Sequence, residues 1–162
     1  MRQPKLDRID LKILSVLQKR GRITNVNLAD AVGLSASPCL MRVKRLEESG
    51  YIQGYGATID MARLGEVVHV FTEITLRDHR HGDFSRFEAA MRNVDEVIEC
   101  HLISGGYDYL VKFITRGIVH YQELMESLLE RQIGIEKYFS FVVIKSPVVK
   151  QYYPLPLLFE ES

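Results

Sequence analysis

The stretch GRITNVNLADAVGLSASPCLMRVKRLEESGYIQGY, residues 21–55, predicts two short helices joined by a sharp turn. Thr24 or Asn25 can cap the first helix, because their side chains accept hydrogen bonds from first-turn N–H groups. Gly33 can end that helix, since glycine reaches the left-handed conformation without a Cβ clash. Two short helices separated by a glycine-containing turn are typical of a helix-turn-helix.

The second helix of this pair carries cations beside an apolar stripe. Ser35 or Ser37 can cap it, and its first turn tolerates Pro38 because the N–H groups there have no intrahelical partner. The spacing of Leu40, Val43 and Leu46 predicts one buried face, which leaves Arg42, Lys44 and Arg45 outside it. Such a helix can lie in the major groove of DNA. A helical hairpin in a core, with solvated cations, is an equally open interpretation of the pattern alone.

The sequences of four segments resemble the Lrp/AsnC family of transcription regulators. The segments are LDRIDLKIL (6–14), GRITNVNLADAVGLS (21–35), SPCLMRVKRLEESGYIQGY (37–55) and ECHLISGGYDYLVK (99–112). The resemblance implies an α+β fold: an N-terminal winged helix-turn-helix and a C-terminal βαββαβ ferredoxin-like domain (ACT-like, called RAM). We expect the first over residues 1–60, the second over 61–150, and an apolar tail over 151–162.

Charge is distributed unevenly along the 162 residues, although the formal net charge is +0. Residues 1–60 hold ten Lys and Arg against six Asp and Glu, a net charge of +4. Residues 61–162 hold eleven against fifteen, a net charge of −4. A positive half attracts phosphates, so the N-terminal half is the expected DNA contact.

Other whole-chain features exclude several classes. Cys39 and Cys100 form neither a disulfide framework nor a metal spacing. No run of eighteen apolar residues is present, so no membrane partner is expected. The charged N-terminus lacks a signal sequence, which predicts a cytoplasmic protein. The resemblance implies that it is bacterial and associated with the nucleoid. No catalytic motif occurs, so we predict a protein that is not an enzyme and has no cofactor.

Hydrophobic periodicity predicts the remaining elements. The 3-4-4 spacing of Leu6, Ile9, Ile13 and Leu17 predicts a first helix capped by Asp7. The glycine-rich segment 51–59 predicts a wing strand or hairpin. The βαββαβ order follows from four strands (Val67–Leu76, Val97–Ser104, Tyr107–Ile114, Tyr138–Ile144) and two helices (Asp83–Arg92, Val119–Arg131).

Two apolar surfaces are expected to need a cover. Two helices on one face of a four-stranded sheet leave the other face bare, which invites dimerisation. The tail QYYPLPLLFEES is too apolar to be free in solution. It is expected to pack either on a neighbouring subunit or on its own domain.

The candidate DNA-binding residues lie in and before the second helix of the pair. Each cation can equally be a solvated surface charge, and Arg45 can instead pair with a nearby acid. An arginine that enters the groove can bind guanine bidentately, whereas Lys44 and Arg22 are better placed for phosphates. The set is Arg22, Ser35, Ser37, Pro38, Arg42, Lys44 and Arg45.

The candidate effector site begins with the turn Gly105-Gly106-Tyr107-Asp108. Its amides can hold a carboxylate, and the Asp108 carboxylate can pair with an ammonium, which together fit a free amino acid. On pattern alone, two glycines before a strand are usually just a hairpin turn. The resemblance implies an amino-acid pocket between subunits. It adds five residues to the candidate effector site: Leu102, Ile118, Phe141, Val142 and Val143. Of these, Leu102 and residues 141–143 can equally be core residues of strands.

Two weaker candidates are the motif His79-x-His81 and Cys39. The histidines lack a third metal ligand nearby and are expected to lie in a solvated loop. Cys39 is expected to be a small packing residue rather than a redox sensor.

The resemblance implies a sequence-specific regulator whose activity changes when an amino acid binds. It implies self-assembly into dimers and octamers, pseudo-palindromic sites on double-stranded DNA, and control of amino-acid metabolism or transport. Two alternatives stay open: an enzyme regulated by an ACT-like domain, and an architectural protein of the nucleoid that needs no ligand.

Overall fold

The computed structural model describes residues 5–159, which divide into two compact units. The helix-turn-helix unit comprises residues 5–58 and 147–159, and the sheet unit comprises residues 59–146. The chain therefore leaves the first unit, forms the second, and returns to the first.

Three helices build the core of the helix-turn-helix unit: α1 (Arg8–Lys19), α2 (Asn25–Val32) and α3 (Ala36–Glu48). The Thr24 hydroxyl caps α2 by accepting a hydrogen bond from the Asn27 N–H. Gly33 ends α2 with a φ of 75°, a left-handed conformation that favours glycine. These caps confirm the predicted helix-turn-helix.

The buried face of α3 differs from the prediction by one position. Cys39 is fully buried and Leu46 is 1% exposed, with Val43 partly buried between them, whereas Leu40 is 43% exposed. The stripe therefore runs through residues 39, 43 and 46, at the i, i+4, i+7 spacing that a helix also allows. Cys39 is a packing residue of this core, as expected, and burial raises the pKa of its thiol.

The predicted wing strand is wrong. Residues 52–60 have no regular secondary structure, and a short 3₁₀ turn at Met61–Arg63 is the only element that the structure describes between α3 and the sheet. A strand requires a hydrogen-bonded partner strand, and the described part of this unit provides none. Gly54 and Gly56 further weaken any tendency to extend into a ladder.

The apolar tail folds back onto its own helix-turn-helix unit. A short helix, α6 (Leu155–Phe159), packs against α1. The Gln18 side chain bonds to both backbone groups of Tyr153: its amide nitrogen donates to the carbonyl at 3.2 Å, and its oxygen accepts from the N–H at 2.8 Å. The Lys19 ammonium lies 4.7 Å from the centre of the Tyr152 ring.

This packing explains why α1 buries more than the predicted 3-4-4 face. Leu11, outside that face, is 4% exposed. Leu11 and Leu14 line an apolar cavity of about 580 Å³ together with Tyr153, Leu155 and Phe159. One face of α1 therefore packs on α2 and α3, and a second is covered by the tail.

We expect deletion of residues 151–162 to lower the free energy of unfolding of the helix-turn-helix unit by about 2–3 kcal/mol. The deletion exposes Leu11 and removes both Gln18 hydrogen bonds, and each loss costs roughly 1–2 kcal/mol. Urea unfolding followed by circular dichroism measures the effect. Leu157→Ala, at a tail position that is 82% exposed, is the control and should change little. Equal stability of the deleted and complete chains would contradict this packing.

The sheet unit has the predicted βαββαβ order. Its elements are β1 (Val68–Leu76), α4 (His81–Met91), β2 (Val97–Leu102), β3 (Tyr109–Thr115), α5 (Ile118–Glu130) and β4 (Ile135–Val142). The strand order is β2-β3-β1-β4, with all neighbouring pairs antiparallel. Alternate residues of β1 and β3 form the core with α4 and α5.

Several element boundaries in the sheet unit differ from the prediction by two or three residues. Helix α4 begins at His81, before the predicted start at Asp83, and the Asp83 carboxylate accepts a hydrogen bond from the Arg80 N–H at its first turn. Strand β4 begins at Ile135 because its ladder with β1 continues to the pair Leu76 and Ile135.

The sheet face away from the helices carries large apolar side chains on the edge strand β4. Phe139 is 59% exposed and Phe141 is 53% exposed. Both residues pair with β1 positions whose side chains also point away from the core, Glu73 and Phe71. Within the described chain this face has no covering element, as the sequence predicts.

Candidate DNA-binding and effector sites

The start of α3 is exposed and presents the predicted polar residues. Ser35 is the N-cap residue, although its side chain makes no capping hydrogen bond. Ser37 and Pro38 lie in the first turn and are exposed. The Asn25 amide donates to the Ala36 carbonyl at 2.7 Å, which ties the start of α2 to the start of α3. First-turn N–H groups of α3 are thus available to a phosphate.

Three of the four predicted cations are exposed, and two of the four form ion pairs with α1. Lys44 on α3 and Arg22 in the turn before α2 are exposed. The Arg42 guanidinium lies 2.6 Å from an Asp7 carboxylate oxygen and 2.8 Å from an Asp10 oxygen. The Arg45 guanidinium lies 2.5 Å from the other Asp10 oxygen. Arg45 therefore pairs with a nearby acid, Asp10, as the alternative from the sequence allowed, and Arg42 contacts the same carboxylate.

This ion-pair network, Asp7, Asp10, Arg42 and Arg45, fixes α3 against α1. The Asp10 side chain is 1% exposed, whereas those of Arg42 and Arg45 are 27% and 45% exposed. Partial burial by itself raises the pKa of Asp7. Hydrogen bonds from the Asp10 N–H and from Arg42 outweigh this effect and hold the pKa of Asp7 below its ordinary value. Hydrogen bonds to Asp7 and Asp10 raise the pKa of Arg42. A DNA contact by either arginine would compete with these carboxylates.

In the sheet unit, Asp108 is held at the start of β3. Its carboxylate accepts a hydrogen bond from the Leu76 N–H at 2.8 Å. The His79 Nε2 lies 3.0 Å from its other oxygen. The Asp108 side chain is 18% exposed. This is a fixed, partly exposed carboxylate, the kind of group that can receive an ammonium.

The turn before Asp108 leaves room beside its backbone. A Cβ placed on Gly105 or Gly106 would meet no atom within 4 Å, so packing within the described chain does not require glycine there. Tyr107 is half-buried, and partial burial together with the nearby Glu73 carboxylate raises the pKa of its hydroxyl. The turn is therefore open to a ligand or to another chain.

The predicted effector residues fall into two groups at different ends of the sheet. Phe141 pairs with Phe71, whereas Asp108 directly precedes Tyr109, the partner of Ile74. About 10 Å along the strand and the width of β1 separate the two positions. Ile118 lies farther still, beyond the pair of Val68 and Thr115. The Asp108 group is Leu102, Gly105, Gly106, Tyr107 and Asp108; the Phe141 group is Ile118, Phe141, Val142 and Val143.

Most members of both groups are exposed. Leu102 is 59% exposed and lines a cavity of about 420 Å³ between α4 and β2, together with Cys100 and Tyr109. Burial, followed by the Glu88 charge, raises the pKa of the Cys100 thiol to about 11. Ile118 is 42%, Phe141 53% and Val142 48% exposed, while Val143 is half-buried.

Comparison with known proteins agrees with this architecture. A family model described as winged helix-turn-helix DNA-binding matches residues 6–53, and one described as Lrp/AsnC ligand binding domain matches residues 69–153. The chain belongs to the Lrp/AsnC family. Lrp/AsnC proteins of this type are DNA-binding transcriptional regulators with a ligand-binding domain, and that is the class of this chain.

Three relatives match nearly the whole chain. The transcriptional regulatory protein DoeX of Halomonas elongata is 47% identical over 88% of this chain and 90% of its own. The leucine-responsive regulatory protein of Salmonella typhimurium is 45% identical, over 90% and 88%. A transcriptional regulator from Neisseria meningitidis, solved as an L-Met complex, superposes with a TM-score of 0.87 at 32% identity, over 96% and 100%.

The two histidines of the motif His79-x-His81 have different positions in this Lrp/AsnC chain. His79 lies in an exposed loop, as expected, where it also contacts Asp108, and its ring lies 5.9 Å from that of Phe84. His81 instead begins α4. Among residues 5–159, no group of three His, Cys, Asp or Glu residues is arranged to hold a metal ion. In the same range, no helix combines the length and apolar character needed to cross a membrane.

Sequence reasoning assigned Asp7 to the cap of α1 and predicted no contact of Asp7 or Asp10 with the DNA-binding helix. They do form a capping box: Asp7 accepts from the Asp10 N–H at 2.8 Å, and Asp10 accepts from the Asp7 N–H at 3.1 Å. Their second role, as partners of Arg42 and Arg45, joins residues 32 to 35 positions apart. The sequence shows acidic residues on α1 and basic residues on α3. It does not show which acid pairs with which base.

Proposed function

We propose that this regulator binds a free amino acid through the Asp108 group and that the ligand changes its binding to specific DNA sites. The main support for this proposal is the position of the Asp108 carboxylate, which the Leu76 N–H and His79 hold beside an open glycine turn. The carboxylate suits the ligand ammonium, and the turn amides suit the ligand carboxylate. The L-Met complex of the Neisseria relative supports this ligand class.

The ligand is proposed to lie where two subunits meet. The two predicted groups cannot close around one small molecule within a chain, because β1 and about 10 Å of strand separate them. A partner subunit that supplies the second group would complete the pocket. The exposed Phe139 and Phe141 on the bare sheet face support such self-association, and the proposed assembly is a dimer that forms octamers.

DNA binding is proposed to use residues 1–60, and ligand binding residues 61–150. Two α3 helices of a dimer would read pseudo-palindromic half-sites one helical turn apart, or a multiple of it, on nucleoid DNA. Arg22, Ser35, Ser37, Pro38 and Lys44 are exposed and suited to phosphate or base contacts. For Arg42 and Arg45 a DNA contact stays a prediction, since it requires exchange of their carboxylate partners. The regulated genes are proposed to serve amino-acid metabolism or transport.

Thermal unfolding with each of the twenty amino acids at millimolar concentration tests the ligand proposal. A ligand at a hundredfold excess over its Kd stabilises the native state by about 2.7 kcal/mol. For a chain of this size that corresponds to a rise in Tm of roughly 5–10 °C. We expect such a rise for one or a few L-amino acids.

The D-enantiomer of each active amino acid is the matched control, because it has the same charges but a different arrangement about Cα. We expect it to give a much smaller shift. No shift with any amino acid would contradict the ligand proposal. Together with tight DNA binding, that result would favour the architectural alternative.

A further inference from the structure

The solvent face of α3 exposes two large apolar side chains. Met41 is 65% exposed and Leu40 is 43% exposed, although the helix is rich in charged residues. Neither is needed for the core, which is formed by Cys39, Val43 and Leu46. Exposed apolar residues on a helix that is built to enter DNA require a partner of matching chemistry.

Met41 points directly away from the core of the helix-turn-helix unit. Successive residues of an α-helix are about 100° apart, so Met41 is roughly opposite Cys39 and Val43. Ser37 lies one turn before Met41 on the same line, and Lys44 lies one turn after it. Arg42 and Arg45 are turned toward α1, where they contact Asp7 and Asp10. Arg45 also lies one turn after Met41, but its guanidinium contacts Asp10. The outward residues without an ion pair to α1 are therefore Ser37, Met41 and Lys44. Glu48 follows them at the end of the helix.

We propose that Met41 contacts the C5-methyl group of thymine in the major groove and so determines part of the sequence specificity. The thymine methyl is the apolar feature that the major groove offers, and methionine is flexible and polarisable enough to fit it. This inference rests on the proposed entry of α3 into the groove. It assigns base reading to the outward residues, with Ser37 and Lys44 beside Met41, and leaves Arg42 and Arg45 to hold α3 in place.

The surroundings of Met41 favour DNA over a protein partner. Met41 shares a shallow cavity with Pro38, Arg42, Lys44, Arg45 and Glu48. Three of these neighbours are cations, so an apolar point is bordered by positive charge. That combination suits a base edge between two phosphate backbones. Glu48, the single acid, lies at the end of α3, beyond the N-terminal part of the helix that contacts bases.

Uracil substitution tests the contact, since replacing thymine by uracil removes only the C5-methyl group. Binding sites are first selected from random duplex DNA with the full-length protein. Each thymine of a selected half-site is then replaced in turn, and Kd is measured. We expect one or two replacements to weaken binding of the wild-type protein about fourfold, the contribution of one buried methyl-sized group. The same replacements should leave the Kd of the Met41→Ala variant unchanged.

Met61→Ala is the matched control, because Met61 is also exposed but lies outside α3. It should retain the uracil sensitivity of the wild type. Wild-type binding that is indifferent to uracil at every position overturns the Met41 contact while leaving DNA binding intact. Equal sensitivity of Met41→Ala and the wild type also overturns it. Failure to select any sequence would contradict the proposed function itself, and the contact with it.

Discussion

Replacing Asp10 by alanine is expected to lower the free energy of unfolding of the helix-turn-helix unit by about 2–4 kcal/mol. Asp10 is 1% exposed and accepts hydrogen bonds from Arg42 at 2.8 Å, Arg45 at 2.5 Å and the Asp7 N–H at 3.1 Å. Its loss leaves two cations without this buried partner and removes half of the capping box. The effect stays below that of a fully buried pair because both guanidinium groups are partly exposed and Arg42 keeps Asp7.

Urea unfolding of the variant, followed by helical circular dichroism, measures this loss. Asp30→Ala on α2 is the control, since Asp30 is an exposed carboxylate of the same unit. Asp10→Asn separates charge from shape, because it keeps the size and one acceptor oxygen but removes the negative charge. We expect Asp10→Asn to lose more than half of the stability that Asp10→Ala loses. If both Asp10 variants behave as Asp30→Ala does, the network contributes little to the fold.

The position of α3 was predictable from sequence, but the register of its buried face was not. Leu40, Val43 and Leu46 and the set Cys39, Val43 and Leu46 both fit a helical stripe, and leucine is the larger apolar residue. The structure buries Cys39 completely and exposes Leu40. A small side chain fits where α3 packs closely on α2, a local fact of packing that periodicity does not contain.

The ion pairs of the DNA-binding helix were beyond prediction for a different reason. Capping is local, so the roles of Asp7 and Thr24 followed from the next three residues. The contact of Asp10 with Arg45 joins positions 35 apart and depends on how α1 crosses α3. Opposite charges on the two helices allow the pairing but do not select it.

In the sheet unit, hydrophobic periodicity predicted the order of strands and helices along the chain but did not predict how the effector site is assembled. The hydrophobic pattern of β1 and β3 reports which face is buried, and the structure agrees. Whether Asp108 and Phe141 can touch one ligand depends on the register with β1, which places them apart. The sequence analysis grouped Asp108 and Phe141 in one site because the family resemblance implies a pocket between subunits, to which different subunits can contribute different residues.

The Asp108→Asn variant is expected to weaken amino-acid binding about a hundredfold, and so to abolish the thermal shift at ligand concentrations that saturate the wild type. A charge-assisted hydrogen bond between ammonium and carboxylate contributes roughly 2–3 kcal/mol, which corresponds to about this factor. Asparagine keeps the volume and can still accept from the Leu76 N–H, which lies 2.8 Å from the carboxylate. The fold and DNA binding without ligand should therefore change little.

Isothermal titration with the amino acid found in the thermal screen measures the change, and DNA affinity with and without that ligand reports the response. Asp78→Asn is the control, because Asp78 is an exposed carboxylate in the segment that follows β1. Asp108→Ala is less suitable, since it also leaves the Leu76 N–H without its acceptor and costs about 1–3 kcal/mol of stability.

The two readouts distinguish binding from coupling. Loss of both binding and DNA response would place the ligand ammonium on Asp108. Normal binding with a lost response would instead mean that Asp108 acts after binding, by favouring one assembly over another through Leu76 and His79. A ligand shifts such an equilibrium only by the difference between its affinities for the two states. If Asp108→Asn binds and responds as the wild type does, the ammonium is held elsewhere and the proposed pocket is wrong.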